Sequence, residues 1–565
     1  MLKLLQERFP EIAFALTFTS FTHIPSPLQD NLELRSSIEE IEVLYLFGVG
    51  NYFKPLKEWL TRKGRLLIIL EDDLARIDAF LKTEDAALFL DCPNLVLKYV
   101  QNWETVLEEL PIEYSTDRVE VAATTSYQKK RASFFKKIQL KLYRNHASIA
   151  ALLSEVLYSH KLFANLYPNL LKLPISFFAN RFKGMFKDIP ALICGAGPSL
   201  QKDIESLRQM EQEALIFAGG SAITAFGRHQ LRPHFCMALD PNQEEYERLK
   251  EASSFETPFL YAARVQKDLF QTCNGPFGYM KSDTGGLAEE WFEKRLPIEG
   301  TAIGPELGRE AFSVTTLAIA FAYELGCNPI ILSGVDLAFT GMQRYASGIV
   351  EKNSAKQLDH DARITDKRVM RKDRQGKKVQ TLIKWIMESD CISAFAKAHP
   401  ERTFINATEG GIGFSKIPYL PLEEVRKKYC TNSYDLHGKI HAQIQKSGFP
   451  KDLEEKLDAA SEELAASLGR CLKLCEQMVQ ELKKCGDSYK ESGKMVVLQM
   501  DLKEESAFEC FLQPLEFALQ RLFARYFFDS PLERKRAEWE QMQIMVRSFL
   551  RSLSTPKVCS SASVS

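Results

Sequence analysis

Two short glycine-bearing segments have the composition of a phosphate site. The first is Gly195-Ala196-Gly197-Pro198-Ser199, which follows the apolar run Ile189–Cys194. Glycine lets the main chain come close to a phosphate, Pro198 stiffens the turn, and Ser199 can cap a following helix or donate its hydroxyl. The amino end of that helix would attract negative charge. No Gly-Lys-Ser/Thr ending follows, so this is not a Walker-type loop. The second segment, Gly219-Gly220-Ser221, repeats the arrangement after Ala214–Ala218. Side by side, the two turns would present many N–H donors to one nucleotide. The structural alternative is a pair of capped strand–helix turns.

Further polar residues fall at the ends of neighbouring apolar runs. Asp240 ends His234–Leu239 and could hold a ribose hydroxyl or a magnesium ion, or be a turn aspartate before Pro241. Asn328–Ser333 ends in Gly334-Val-Asp336, and Asp336 could orient a substrate hydroxyl, act as a base, or bond to turn amides. Ser313 and Thr315 open a helical pattern and either cap it or meet an anionic substrate. Asn406-Ala-Thr408-Glu409-Gly-Gly411 follows Thr403–Ile405, with Asn406 and Thr408 as substrate contacts and Glu409 as an acid, a base or a loop carboxylate. His229 and His234 are placed near these residues and could titrate near neutral pH or be structural. Lys367–Lys378 is strongly basic, with Asp373-Arg-Gln-Gly376 as a hairpin tip; its charge is either solvated or meets an acidic substrate or acceptor.

These residues need elements that bring them together. Apolar runs ending in glycine or aspartate alternate with helical patterns from 189 to about 425, as in an open parallel sheet, whose ligands bind at the strands' carboxyl ends. The first 125 residues show the same alternation. Val43–Phe47 ends in Gly48-Val-Gly50, Leu66–Leu70 ends in Glu71-Asp72-Asp73, and the runs ALFLD and NLVLKYV follow. Gly-x-Gly there is a fragment of a dinucleotide fingerprint, and the acids after the next run are placed for a ribose; the alternative is a tight turn and a solvated acidic strand end. Residues 126–188 read as an amphipathic helical connector with a basic face at Lys129–Arg144. Beyond 431 the residues Leu453, Leu457, Ala460, Leu464, Leu468, Cys471, Cys475, Met478 and Leu482 define one helix face. Two more helical patterns follow near 502–528 and 532–553, with Pro531 suited to a first turn.

The expected fold is therefore α/β: two Rossmann-like parallel-sheet domains, at 1–125 and 189–430, joined by the connector and followed by an all-α region at 431–554 and a frayed polar tail at 555–565. The length of 565 residues suits three or four domains. Lys and Arg number 73 against 74 Asp and Glu, a net charge of −1, which argues against a general nucleic-acid binder. Twelve cysteines lack Cys-x-x-Cys pairs and zinc spacing, and free buried thiols are expected. No secretory signal and no membrane span are read, so a cytoplasmic location is expected.

Several motifs together resemble the motility accessory factor family. These are ALICGAGPSL, LIFAGGSAITAF, RPHFCMALDP, SVTTLAIAFAYELGCNPIILSGVDLAFT, GKKVQT and FINATEGG, preceded by YLFGVGNYF and LLIILEDD. The resemblance runs in order over most of residues 40–425. That family shares its central, MptE-like domain with an archaeal hydroxymethylpterin diphosphokinase. The resemblance implies a sialyltransferase-like fold. It also implies transfer of a nonulosonic acid, such as pseudaminic or legionaminic acid, from a CMP donor to a protein hydroxyl, typically in flagellin. The diphosphokinase relative moves a diphosphate from ATP to a pterin alcohol with magnesium and is essentially the central domain alone. The additional domains here favour the glycosyltransferase.

On that reading Gly195, Gly197, Pro198, Ser199, Gly219, Gly220 and Ser221 cradle the nucleotide. Asp240 holds the ribose or phosphates, and Asp336, Tyr345 and Glu409 face the sugar and acceptor. Magnesium would enter only through Asp240. The chain departs from the family pattern in two places. Glu310-Ala-Phe312 stands where relatives carry glycines, and Tyr345 where they carry a histidine. These departures keep a third reading open, a nucleotide-binding or assembly protein without turnover.

Overall fold

A computed structural model describes residues 2–21, 32, 38–50, 52–116, 118–250, 256–307, 313–347, 349, 363–485, 492–524 and 528–554. The expected tail at 555–565 and the Glu310–Phe312 departure lie outside the described residues. The chain forms two compact units, one from residues 1–153 and 360–367 and one from 154–359 and 368–565.

The first unit holds a four-stranded parallel sheet of β1 (Val43–Phe47), β2 (Leu66–Glu71), β3 (Leu95–Tyr99) and β4 (Val119–Ala123), in the order β3-β2-β1-β4. All five residues of β1 are buried, as expected for a parallel strand covered on both faces. The run ALFLD, read as a strand candidate, is instead the end of the helix Glu84–Asp91. Ala86, Phe89 and Leu90 recur at steps of three and four and are fully buried, which is a helical face.

The second unit holds an eight-stranded sheet, parallel throughout. Its strands are β5 (Phe177–Phe178), β6 (Ala191–Cys194), β7 (Leu215–Gly219), β8 (Phe235–Ala238), β9 (Phe259–Tyr261), β10 (Phe277–Tyr279), β11 (Ile330–Ser333) and β14 (Phe404–Asn406). The order is β14-β11-β6-β7-β8-β9-β10-β5. An antiparallel hairpin of β12 (Arg368–Lys372) and β13 (Lys378–Leu382) stands apart from the sheet.

Side chains alternate across each strand. Leu192, Cys194, Ile216, Ala218, Cys236 and Ala238 enter one core, and Ala191, Ile193, Leu215, Phe217, Phe235 and Met237 enter the other. The helix Val314–Glu324 covers the second face. The first core continues through Phe163 and Leu166 into the C-terminal helices. There the helix Leu453–Lys484 buries the whole face expected of it, from Leu453 to Leu482, including Cys471 and Cys475. The segment expected as one helix at 502–528 breaks into Gly493–Glu504, a wide turn at Phe508–Leu512 and Gln513–Phe523. Pro531 opens the last helix, Pro531–Leu553, capped by Ser530. The eleven cysteines among the described residues are free thiols. No helix among the described residues is long and apolar enough to cross a membrane.

Candidate functional site

The strand order of the large sheet reverses between β6 and β11. From β6 the chain steps outward through β7 to β10, then returns to β6's other side for β11 and β14. Such a reversal opens a crevice at the strands' carboxyl ends. Both the Gly195–Ser199 turn and the Gly334–Asp336 turn lie there, and they pack on each other. Gly195 N donates to Ser333 O and Gly197 N to Gly334 O, each at 2.8 Å. The Ser199 hydroxyl donates to Asp336 Oδ2 at 2.5 Å, and Ser199 N approaches the same oxygen at 3.3 Å. A Cβ on residue 197 would fall 2.1 Å from that oxygen, so only glycine fits. Ser199 makes no capping bond to its own helix, Leu200–Gln209.

Asp336 is 2% exposed. Burial pushes its carboxyl up, and the Ser199 hydroxyl and amide oppose that shift. The loop that follows carries two non-glycine residues, Leu337 and Met342, at positive φ. Left-handed backbone of this kind costs about 1–3 kcal/mol per residue and persists where surrounding contacts impose it. Here the Thr381 hydroxyl donates to Leu337 O at 2.6 Å and Phe339 N donates to Gln380 O at 2.9 Å.

The loop then returns Tyr345 to the first turn, because Ala346 N donates to Ala196 O at 2.9 Å. Tyr345 is half-buried, with the Arg344 guanidinium 5.0 Å from its ring centre. After β14, Asn406 Oδ1 accepts from Thr408 N, and Thr408 Oγ1 accepts from Val335 N at 3.0 Å. Both side chains are buried and brace the β11 turn. Glu409 pairs with Lys202 at 2.6 Å.

The second glycine turn faces the helix Val314–Glu324. A Cβ on Gly219 would meet Val314 Cγ1 at 2.8 Å. Ser221, almost buried, begins the helix Ser221–Arg228. Ser313 caps the facing helix in a reciprocal box with Thr316, and Thr315 is half-buried in its first turn. Asp240 stands exposed beyond the end of β8.

Several residues of this crevice carried no sequence signal. Glu388, on the helix Ile383–Ala398, accepts from Ser313 Oγ at 2.5 Å, and burial pushes its carboxyl up to about 7. Arg248 pairs with the buried Glu245 at 2.5 Å and lies in the field of Asp240 and Tyr345. Its Nε is buried without a hydrogen bond. Asp203 accepts from Ser333 Oγ at 2.6 Å and is pushed up to about 6 by burial and by Asp336 and Glu409. None belongs to a glycine turn or an apolar strand end, the two patterns that mark such sites in a sequence.

Neither histidine lies at the crevice. His234 precedes β8, at the amino end of the strands, opposite the crevice. It is fully buried, its Nδ1 accepts from Ile216 N at 3.0 Å, and its ring stacks on His437. Burial lowers it to about 3. His229 ends the helix that starts at Ser221, and so lies away from the turn. No group of three or more His, Cys, Asp or Glu side chains among the described residues is arranged to hold a metal ion. Asp240 is a single exposed carboxylate, which does not fit a protein-built magnesium site.

The first unit has its own reversal, between β1 and β4. Of its three acids, Asp73 is exposed and caps the helix Leu74–Leu81, while Glu71 and Asp72 are taken up by the chain itself. Glu71 is fully buried and accepts from Val49 N at 3.1 Å, from Asp72 N and Asp73 N, and from the Tyr127 hydroxyl at 2.6 Å. Asp72 takes both arms of Arg131, at 2.7 and 2.8 Å, together with Tyr127 and Trp103. The chain's own side chains occupy the acceptors a nucleotide would use.

Residues 162–342 match the sequence family described as 6-hydroxymethylpterin diphosphokinase MptE-like. Comparison with curated protein sequences finds no match. Among solved structures, the fold is similar to that of the Maf glycosyltransferase from Magnetospirillum magneticum AMB-1. The two chains share 17% identity with a TM-score of 0.50, over 97% of this chain and 94% of that one. The chain thus resembles the motility accessory factor proteins, in the extent of its fold and in its central domain.

Proposed function

We propose that the chain is a nucleotide-dependent transferase that moves a nonulosonic sugar from a CMP donor to a protein hydroxyl. The observation that carries this reading is the pair of glycine turns beside the β6/β11 reversal, with an under-bonded cation, Arg248, in the same crevice. The backbone of Gly195–Ser199 and Gly219–Ser221 is suited to the nucleotide phosphate, and Asp240 to the ribose. Arg248 suits an anion, and a nonulosonic donor carries two, a phosphate and a carboxylate. In the transfer an acceptor oxygen bonds to the anomeric carbon as the bond to the phosphate oxygen breaks. The acceptor proton goes to a base and CMP leaves with the electron pair. Glu388, raised by burial to about 7, is matched to that proton near neutral pH. Asp336 is a positioning residue on this reading, since it faces Ser199 rather than the open crevice. Tyr345 and Glu409 border the sugar and acceptor side, and Ser313, Thr315, Asn406 and Thr408 shape the walls.

The family matched over 162–342 supports a second reading, a hydroxymethylpterin diphosphokinase using ATP. The likeness of fold to a glycosyltransferase over nearly the whole chain favours the first. Thermal melts with CMP, CTP, ATP, GTP and pterin separate them. A ligand bound only by the folded state raises Tm, by the equivalent of about 2.7 kcal/mol at a hundredfold excess over Kd. CMP is expected to stabilise the protein, and Arg248→Ala to weaken that effect. AMP release from ATP with hydroxymethylpterin would replace the first reading with the second. No stabilisation by any nucleotide would leave the non-catalytic reading.

A further inference from the structure

The hairpin of β12 and β13 carries a concentrated excess of positive charge. Residues 368–382 hold six cations and one carboxylate, in a chain whose net charge is −1. The one acid turns inward: Asp373 Oδ1 accepts from Lys377 N at 2.8 Å and closes the tip, where Gly376 takes the left-handed conformation. Arg371, Lys372, Lys377 and Lys378 are exposed. The strand register sets Lys372 directly opposite Lys378. Like charges at facing positions repel and weaken a strand pair. Exposed Met370 lies two residues along from Lys372, on the same face, opposite Gln380.

The arm is held against the crevice. Its outgoing strand bonds to the strained Leu337–Phe339 segment through Thr381 and Gln380. At its tip the Arg374 guanidinium lies 3.4 Å from the Tyr419 ring centre, and Tyr419 lies in the field of Glu409 and Lys202. A segment bound along the hairpin would therefore lead to the polar end of β14.

We infer that this hairpin is a docking arm for an acidic polypeptide segment. Paired lysines with no acid facing them in the strand register, an apolar Met beside them, and strands with no further sheet neighbour among the described residues suit an extended acidic chain, which supplies carboxylates and edge hydrogen bonds together. A nucleic acid fits less well. The exposed cations of the hairpin lie within a dozen residues on one narrow arm, and a nucleic-acid site needs a longer basic track. The inference rests on the transferase reading only for what the bound segment is brought to; binding itself stands apart from it.

The test is fluorescence anisotropy of a labelled oligoglutamate about a dozen residues long, titrated with the full chain at two salt concentrations. Lys372→Thr with Lys378→Thr should weaken binding by roughly tenfold and make it less salt-dependent. The same protein should melt no lower than the parent, because a repulsive pair has been removed, and should keep the parent's Tm response to CMP. Equal affinity of parent and variant would overturn the inference. So would tighter binding of a single-stranded oligonucleotide, or of phosphatidylserine vesicles, than of the peptide. A normal peptide result with no CMP response would instead remove the transferase reading and leave the arm.

Discussion

Ser199 and Asp336 are 137 residues apart in sequence, and the hydroxyl of one donates to the carboxylate of the other at 2.5 Å across the point where the strand order reverses. The bond couples the two turns that form the floor of the crevice. Gly197 belongs to the same coupling, since a side chain there would strike the same oxygen.

That coupling should be visible as non-additivity. Gly197→Ala is expected to destabilise the chain by about 1–3 kcal/mol through overpacking against Asp336. In an Asp336→Gly background the same substitution should cost less, with a residual cost from the Gly334 carbonyl oxygen 2.7 Å from the added Cβ; the difference is a coupling of the size contacting residues show, roughly 0.5–3 kcal/mol. Urea midpoints of the four proteins in the cycle measure it. Additive costs would mean that the two residues do not compete for one space.

Glu388 should govern the pH dependence of transfer. Its carboxyl is raised to about 7, so the ionised base is lost as pH falls through that value. Activity should drop on the acid side, and Glu388→Gln should abolish the limb while lowering the rate by roughly 10²–10⁴-fold. Its folded pKa lies above the ordinary carboxylate value, so the stability it contributes is present at low pH and declines as pH rises through 7. A variant with an unchanged acid limb would assign the limb to another group.

In the first unit, Tyr127→Phe removes the hydroxyl shared by Glu71 and Asp72. Hydrogen bonds to charged groups are worth about 1.5–3 kcal/mol, and a loss of that size is expected in chemical unfolding. The nucleotide response should not move, because this crevice is filled by the chain itself. A changed CMP affinity would show that the first unit takes part in binding.

His234 should make the fold acid-sensitive. Its folded pKa is lowered to about 3 by burial first and by His437 second. The unfolded chain therefore binds a proton that the native state refuses, and stability falls as pH drops below the ordinary histidine value. The loss is at most about 1.4 kcal/mol per pH unit until pH nears 3. His234→Asn keeps an acceptor for Ile216 N and removes the titration. Its denaturation midpoint should vary less between pH 6.5 and 4 than the parent's.

Much of the framework was legible from residue order. Apolar runs closing in glycine or aspartate marked β1, β2, β6, β7, β8 and β11, because a parallel strand covered on both faces is apolar along its length. The face from Leu453 to Leu482 was equally plain, and so was the hairpin tip at Asp373–Gly376. The short strands β5, β9 and β10 escaped because two or three residues show no period and no glycine or aspartate turn closes them, and β4 escaped because Glu120 interrupts its apolar run. ALFLD misled because a short apolar run looks alike in a strand and in the buried side of a helix.

By itself the sequence determined which local segments could turn, extend or coil, and so placed the glycine turns, Asp240 and Asp336 at strand ends. It also determined the motifs by which the chain resembles motility accessory factors. The tertiary structure decided what those residues face. Asp336 turns to Ser199, Glu71 and Asp72 are taken up by Tyr127 and Arg131, His234 lies at the amino end of the strands, and Glu388 and Arg248 reach the crevice from helices. The reason is physical: local backbone preference acts over a few residues, whereas a side chain's partner depends on strand order and register, which join positions more than a hundred residues apart.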